Sequence, residues 1–319
     1  MIKNLFIVGA GFTKAVYPTA PLNNDLLKQV VGEEPDDSPL GKVWKTYGIS
    51  NIETLLTRFD LDLVSGHAPF SISARNEISE QLAAFVNRYR FQNDVAWLRP
   101  MLKVISENDV IVSLNYDCFL EGFLDFHGVW SPKGGYHIVD NMLADNLPDN
   151  ERNIRILKIH GSESFRISSF FDKPEATVVS YEINGGLFPR SGKHSHLGGG
   201  IDSRPYVIAP SFTKQFVIEL QYLFLDAIRF AKVAQNMVII GCSLRPEDNH
   251  LWLIVTSFLK NQAWQKKRTL IVSPDACDVK QRIERFWGRK IFTERNFVAI
   301  GSGLEHALLQ LQDLIHEAV

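Results

Sequence analysis

The chain has 319 residues, 45% of them hydrophobic and 22% charged, with a formal net charge of −2 and a pI near 6.5. This is the composition of an ordinary globular protein. It lacks the basic excess of a dedicated nucleic-acid or membrane-surface binder, and no run approaches the ~18 apolar residues of a membrane span.

The first residues form an apolar run, Leu5-Phe6-Ile7-Val8, that reads as a buried parallel strand over 3–8. They do not read as a signal peptide. Gly9 to Thr13 turns this strand into a helical stretch, which Pro18 and Pro21 break. Asn24-Asp25 can cap a second helix over 26–31, and 32–50 reads as a surface loop rich in Gly, Pro, Asp and Ser. Asn51 caps a helical pattern with Ile52, Leu55, Leu56 and Phe59 on one face. Two more amphipathic helices are expected near 74–92 and 93–107. Strands are then expected at 109–114, 154–159, 205–209, 236–241, 268–273 and 296–300, and helices at 117–127, 214–234, 246–260, 276–287 and 304–317. Their alternation predicts an α/β fold: one domain with a Rossmann-like parallel sheet, helices on both faces and an inserted helical subdomain over about 51–107. Residues 128–153 read as a polar loop, and the glycine-rich 185–204 as a mobile one.

Four strand ends carry chemistry. Gly9-Ala10-Gly11-Phe12-Thr13 follows a strand and opens a helix, where N–H groups and small residues suit a pyrophosphate. The third glycine of G-x-G-x-x-G is missing, since position 14 is Lys, and no acid-ended strand follows. This argues against a hydride-transferring dehydrogenase. Ile111-Val112-Ser113-Leu114 ends in Asn115-Tyr116-Asp117. Both polar residues suit a helix cap; Asn115 also suits a ribose hydroxyl or a water, and Asp117 can cap while fixing Asn115. His160 ends a strand ahead of Gly161-Ser162, as a core histidine or as a general base near neutral pH. Gly241, Ser243 and Leu244 follow a late strand, and Arg245-Pro246-Glu247-Asp248 has helix-start chemistry. His194 and His196 make a poor metal site without Cys or carboxylate neighbours. Cys118, Cys242 and Cys277 are too scattered for a disulfide framework or a zinc pair, and the expected compartment is the cytoplasm.

Taken together, Gly9-Ala10-Gly11-Phe12-Thr13, Asn115-Tyr116-Asp117, His160-Gly161 and Gly241-Cys242-Ser243 resemble, in order, the signature segments of the sirtuin family. The Asn-Tyr-Asp form, with Asn51-Ile52-Glu53-Thr54-Leu55-Leu56 and Ile208-Ala209-Pro210-Ser211-Phe212-Thr213-Lys214, looks like the bacterial sirtuin-like branch of anti-phage defence systems, whose domains cleave NAD. The chain departs from the deacetylases. It has no four-cysteine zinc module, and Pro21-Leu22-Asn23-Asn24-Asp25 stands where they carry Asp-Phe-Arg; Thr13 in place of Ser keeps the hydroxyl.

The resemblance implies an NAD glycohydrolase that uses NAD as substrate and no metal, with Asn115, His160 and Asp117 as catalytic residues. It implies that Gly9, Ala10, Gly11, Phe12 and Thr13 hold the pyrophosphate, with Phe12 over the nicotinamide side, and that Gly241, Ser243 and Leu244 line the adenosine end. It further implies a homo-oligomer gated by an infection-sensing partner: a helicase-like ATPase, an Argonaute-like protein or a nucleotide-processing subunit. Such a partner would contact 51–106 and 185–204. A non-hydrolysing NAD or ADP-ribose sensor and a protein deacylase are the alternatives.

Overall fold

The computed structural model describes residues 2–32, 37, 39–49, 51–66, 69–141, 154–169, 177–180, 200–201, 206–207, 218–246, 248–260, 267–288 and 296–316. Strand β1 (Asn4–Val8) runs through Gly9 into α1 (Ala10–Val16). An insertion follows: α2 (Asn23–Val31), α3 (Pro39–Tyr47), α4 (Ile52–Ser65) and α5 (Pro69–Val86), then 3-10 turns at Asn87–Tyr89 and Ala96–Leu98 and the single-turn α6 (Met101–Val104). The chain returns to the sheet as β2 (Val110–Ser113), followed by α7 (Phe119–Phe126), α8 (Pro132–Gly135), β3 (Asp140–Asn141) and β4 (Arg155–Lys158). A hairpin of β5 (Phe165–Ser169) and β6 (Thr177–Ser180) precedes β7 (Gly200–Ile201) and α9 (Ile218–Val233). The last third alternates β8 (Asn236–Ile240), α10 (Asn249–Leu259), β9 (Arg268–Val272), α11 (Ala276–Trp287), β10 (Phe297–Ile300) and α12 (Leu304–His316).

The main sheet has the order β10-β9-β8-β1-β2-β4, with every neighbouring pair parallel. The chain starts in the middle, builds outward through β2 and β4, then returns to the other side of β1 and builds outward again. This is the doubly wound Rossmann order, and its direction reverses between β1 and β8. All residues of β1, β2 and β8 are buried, whichever face their side chains take, so helices cover both faces. That is why these strands appear as unbroken apolar runs.

At the amino end of the sheet a buried polar ladder sets the register. Asp109 accepts from Asn4 N (2.9 Å) and Asn4 Nδ2 (3.0 Å), and Ser106 N donates to the same carboxylate (2.9 Å). Asn236 Nδ2 donates to Asn4 Oδ1 at 2.8 Å. One polar residue from each of β1 and β8, together with Asp109 just ahead of β2, fixes three central strands against slipping.

Several elements differ from the sequence reading. The expected loop over 32–50 contains α3, whose Leu40 is fully buried. The single helix expected at 93–107 is a 3-10 turn and α6 separated by Arg99 and Pro100; the apolar spacing of Leu98, Met101 and Val104 mimics a longer helix. The expected polar loop at 128–153 contains α8 and β3, and 142–153 lie outside the described residues. Of the strand expected at 205–209 only 206–207 are described, and Val207 forms an antiparallel bridge with Gly161. A second, mixed sheet of order β3-β6-β5-β7 was not anticipated. Of the segment 185–204, only Gly200–Ile201 is described, and it pairs with Ser168–Ser169. The insertion has its own core, with Leu27, Leu40, Ile52, Leu55, Phe59 and Leu82 fully buried, and Tyr116 from beyond β2 packs against it.

Asp109→Ala strands buried donors on Asn4 and Ser106 and is expected to lower stability by about 3 kcal/mol, measured by urea unfolding. A change of less than about 0.5 kcal/mol would contradict the ladder's role in register.

Candidate active site at the switch point

A cleft of about 1290 Å³ lies along the carboxyl ends of the main strands and touches each of them: His160 after β4, Asn115 after β2, Gly9 after β1, Gly241 after β8, Ser273 after β9 and Ser302 after β10. Six parallel strands at ~4.8 Å spacing span about 24 Å. A cleft of that length suits two nucleosides joined by a pyrophosphate better than one. The helical insertion forms its far wall through Leu22, Leu82, Phe85 and Tyr89.

At the centre, two turns meet backbone to backbone. Gly9 N donates to Ile240 O (3.0 Å), Gly11 N to Gly241 O (2.9 Å) and Gly241 N to Val272 O (2.9 Å). Gly241 has φ 59°, and a Cβ there would stand 2.3 Å from Phe12 N; one on Gly9 would stand 2.7 Å from Gly241 O. These glycines are required by the contact between the β1 and β8 turns, whether or not a phosphate ever arrives. Gly9, Gly11 and Phe12 also have their N–H groups committed to protein carbonyls, Phe12 to Gly9 O at 2.9 Å. Phe12 departs further from expectation. Its ring is buried and lies 6.1 Å from Phe119, and it does not line the cleft. Gly9, Ala10, Gly11 and Thr13 do line it.

Thr13 connects this turn to the next one. Its hydroxyl donates to Asp117 Oδ2 (2.9 Å) and accepts from Asn115 Nδ2 (3.0 Å). Asp117 Oδ1 accepts from Phe119 N (3.1 Å), so this carboxylate caps the start of α7 and also orders the site. An ionised carboxylate only accepts. It therefore turns the Thr13 proton toward itself and Thr13's lone pairs toward the Asn115 amide nitrogen. Asn115 Oδ1 is then the atom left to accept from a ligand.

His160, buried and lining the same cleft, follows β4. The next residue, Gly161, has φ 79°, and a Cβ there would stand 2.4 Å from Tyr206 O. Beneath these residues lie ionisable side chains that the sequence reading passed over. Lys158 Nζ lies 2.7 Å from Glu121 Oε1, both groups fully enclosed, and also donates to Asp117 O. Glu163 Oε1 accepts from Cys118 N at 3.2 Å.

Gly241, Ser243 and Leu244 line the other half of the cleft. Leu244 is buried with φ 50°, an uncommon conformation for a leucine. Arg282 donates to Ser243 O, and Trp252 Nε1 donates to Arg245 O at 2.9 Å. Arg245 pairs with Glu53 of α4 at 2.9 Å, tying the insertion to this loop at the cleft wall. Asn51 caps α4 as expected, accepting from Thr54 N at 3.1 Å. Among the described residues no cluster of three or more His, Cys, Asp or Glu is placed to hold a metal, and no helix is long and apolar enough to cross a membrane. His194, His196 and Ile208–Lys214 lie outside the described residues.

Burial raises the Asp117 carboxyl to about 6, against the pull of Lys158 and with a push from Glu121. Burial and the Asp117 charge raise Glu163 to about 7, again opposed by Lys158. Burial works to lower Lys158, but the neighbouring carboxylates, Glu121 foremost and then Asp117, outweigh it and raise it.

No family model and no curated protein matches the chain. Similar solved structures include a mutant Sir2 homologue in complex with ADP-ribose (12% identity, TM-score 0.48, covering 99% of this chain and 93% of that one). Others are a Sir2 homologue–NAD complex (12%, TM-score 0.46, 99% and 90%) and a Sir2 protein bound to a myristoylated histone peptide (13%, TM-score 0.36, 99% and 91%).

The two raised carboxyls bind protons more tightly in the folded than in the unfolded chain. Their contribution to stability is therefore greatest below pH ~4 and is lost as pH rises through about 6 and 7. The melting temperature is expected to fall across pH 5 to about 7.5. Glu163→Gln, which keeps an acceptor for Cys118 N, should flatten the upper part of that fall. An unchanged slope in the variant would contradict the assignment.

Proposed function

We propose that this chain is an NAD glycohydrolase, converting NAD and water into ADP-ribose, nicotinamide and a proton. The observation that carries the reading is the Asp117–Thr13–Asn115 relay, which presents an oriented amide in the same switch-point cleft as His160. The bond broken is that between ribose C1′ and the nicotinamide nitrogen. Its electron pair neutralises the cationic ring, so the leaving group needs no strong acid. Catalysis then consists of holding the ribose, stabilising positive charge at C1′ and placing a water. Asn115 orients the ribose or the water, and His160 takes the proton that the water or a ribose hydroxyl loses. The water oxygen ends on C1′.

In this reading Thr13, Ala10 and Gly11 approach the pyrophosphate, and Gly241, Ser243 and Leu244 lie toward the adenosine. With the Gly9, Gly11 and Phe12 amides already engaged, less of the phosphate binding falls to backbone N–H groups than the turn alone would suggest. The biological role we propose, supported by the resemblance of Asn115-Tyr116-Asp117 and Asn51–Leu56 to the anti-phage branch, is that of a cytoplasmic effector that depletes NAD on infection. An unrestrained NADase would poison its host. The activity is therefore gated by self-assembly or by an infection-sensing partner: a helicase-like ATPase, an Argonaute-like protein or a nucleotide-processing subunit.

The test is NAD consumption with nicotinamide and ADP-ribose resolved by chromatography, alone and in phage-challenged cells. His160→Ala and Asn115→Ala are each expected to lower turnover by roughly 10²- to 10⁴-fold. Wild-type turnover in both would sink the assignment, and NAD binding without turnover in either setting would favour the sensor reading. Thr13→Val removes the relay's proton and should lose most of the rate, whereas Thr13→Ser keeps it. Equal rates in the two would show that the relay does not orient Asn115.

A further inference from the structure

The groups assigned to the reaction sit on two turns, Asn115 and Asp117 after β2 and His160 after β4. These strands are parallel neighbours, and their ladder ends at the pair Ser113–Lys158. Beyond that pair both chains leave the sheet, and their buried backbone groups need other partners. The β4 side supplies them at three consecutive residues of the β2 turn. Glu163 N donates to Tyr116 O at 2.9 Å, Lys158 Nζ donates to Asp117 O, and Cys118 N donates to the Glu163 carboxylate at 3.2 Å. Ser162 Oγ adds a longer bond to Tyr116 O at 3.4 Å.

The choice of residues is informative. Lys158 is fully buried and is held in place by Glu121 at 2.7 Å. A buried ion pair is a costly way to gain stability, since apolar residues of similar volume often serve as well or better. What an apolar side chain cannot do is donate to the Asp117 carbonyl. Nor can one accept from Cys118 N as Glu163 does. The bonds also flank the residue that orders Asn115, because Asp117 is the acceptor at the far end of the Thr13 relay.

We propose that Lys158 and Glu163 are positioning residues that clamp the Asn115–Asp117 turn to the His160 turn where the sheet ladder ends. The inference rests on the hydrolase reading for its effect on rate, but not for the clamp itself. Three measurements on the full chain test it: melting temperature, hydrogen exchange over 114–119, and NAD turnover with ADP-ribose affinity measured in parallel.

The key variant is Lys158→Met combined with Glu121→Leu, which removes the ion pair as a unit, so that Glu121 is not left as a buried carboxylate without its partner. It is expected to melt near the wild type and to exchange the Cys118 amide faster. Its kcat should fall by roughly 100-fold, the scale of a small misplacement of reacting groups, with ADP-ribose affinity within a few-fold of wild type. Glu163→Gln should retain kcat and Glu163→Leu should not.

A folded double variant with wild-type exchange over 114–119 overturns the clamp whatever its activity. A variant with faster exchange but wild-type kcat overturns the positioning role. If the wild-type protein neither alone nor in challenged cells consumes NAD, the hydrolase reading fails, while the exchange data still judge the clamp.

Discussion

The turn after β8 lies directly on the turn after β1, with Gly11 N donating to Gly241 O at 2.9 Å and no room for a Cβ on Gly9 or Gly241. That contact occupies the one place where the strand order of the sheet reverses. Elsewhere along the sheet's upper edge, successive turns lead away into helices on one face or the other. At this position they diverge and leave a crevice. Closing the two turns onto each other sets the crevice floor and places Thr13 one helical residue beyond it. From Thr13, two hydrogen bonds reach Asn115 and Asp117. The glycines thus act first as a structural joint. Any contact with phosphate is additional, and most of their N–H groups are already used.

The site is built in layers of increasing burial. Asn115 and His160 border the cleft; Thr13 and Asp117 orient Asn115; Lys158, Glu121 and Glu163 lie enclosed beneath. Three carboxylates gather around one ammonium there, and burial alone cannot favour three negative charges, so Asp117 and Glu163 are pushed toward holding protons. The insertion closes the opposite wall, bound to the sheet by the Arg245–Glu53 pair and by Tyr116 packed into its separate core.

Much of this was legible in the sequence. Strands β1, β2 and β8 announce themselves as apolar runs because both of their faces are covered, and the six core strands are followed by the glycine or polar residues that line the cleft. The small second sheet was not legible, since β3 and β7 are two residues long and carry no periodicity. Helix α3 was hidden by flanking Gly, Pro and Asp. The burial of Phe12 was not legible, since only the start of α1 shows that its ring is directed inward against Phe119. The buried charges did leave a signal. Glu121 stands alone in Phe119-Leu120-Glu121-Gly122-Phe123-Leu124, and Lys158 alone in Ile156-Leu157-Lys158-Ile159. A lone acid and a lone base within apolar runs call for each other, because neither can be buried unpaired.

In the proposed hydrolase the reacting ribose lies at the β2–β4 half of the crevice, between Asn115 and His160. The most direct measurement is a crystal structure of the protein with ADP-ribose. The distal ribose is expected within hydrogen-bonding reach of Asn115 and His160, with the pyrophosphate over Thr13 and the adenosine toward Ser243 and Leu244. A ligand bound with that ribose toward β9 and β10, or outside the switch-point cleft, would contradict it.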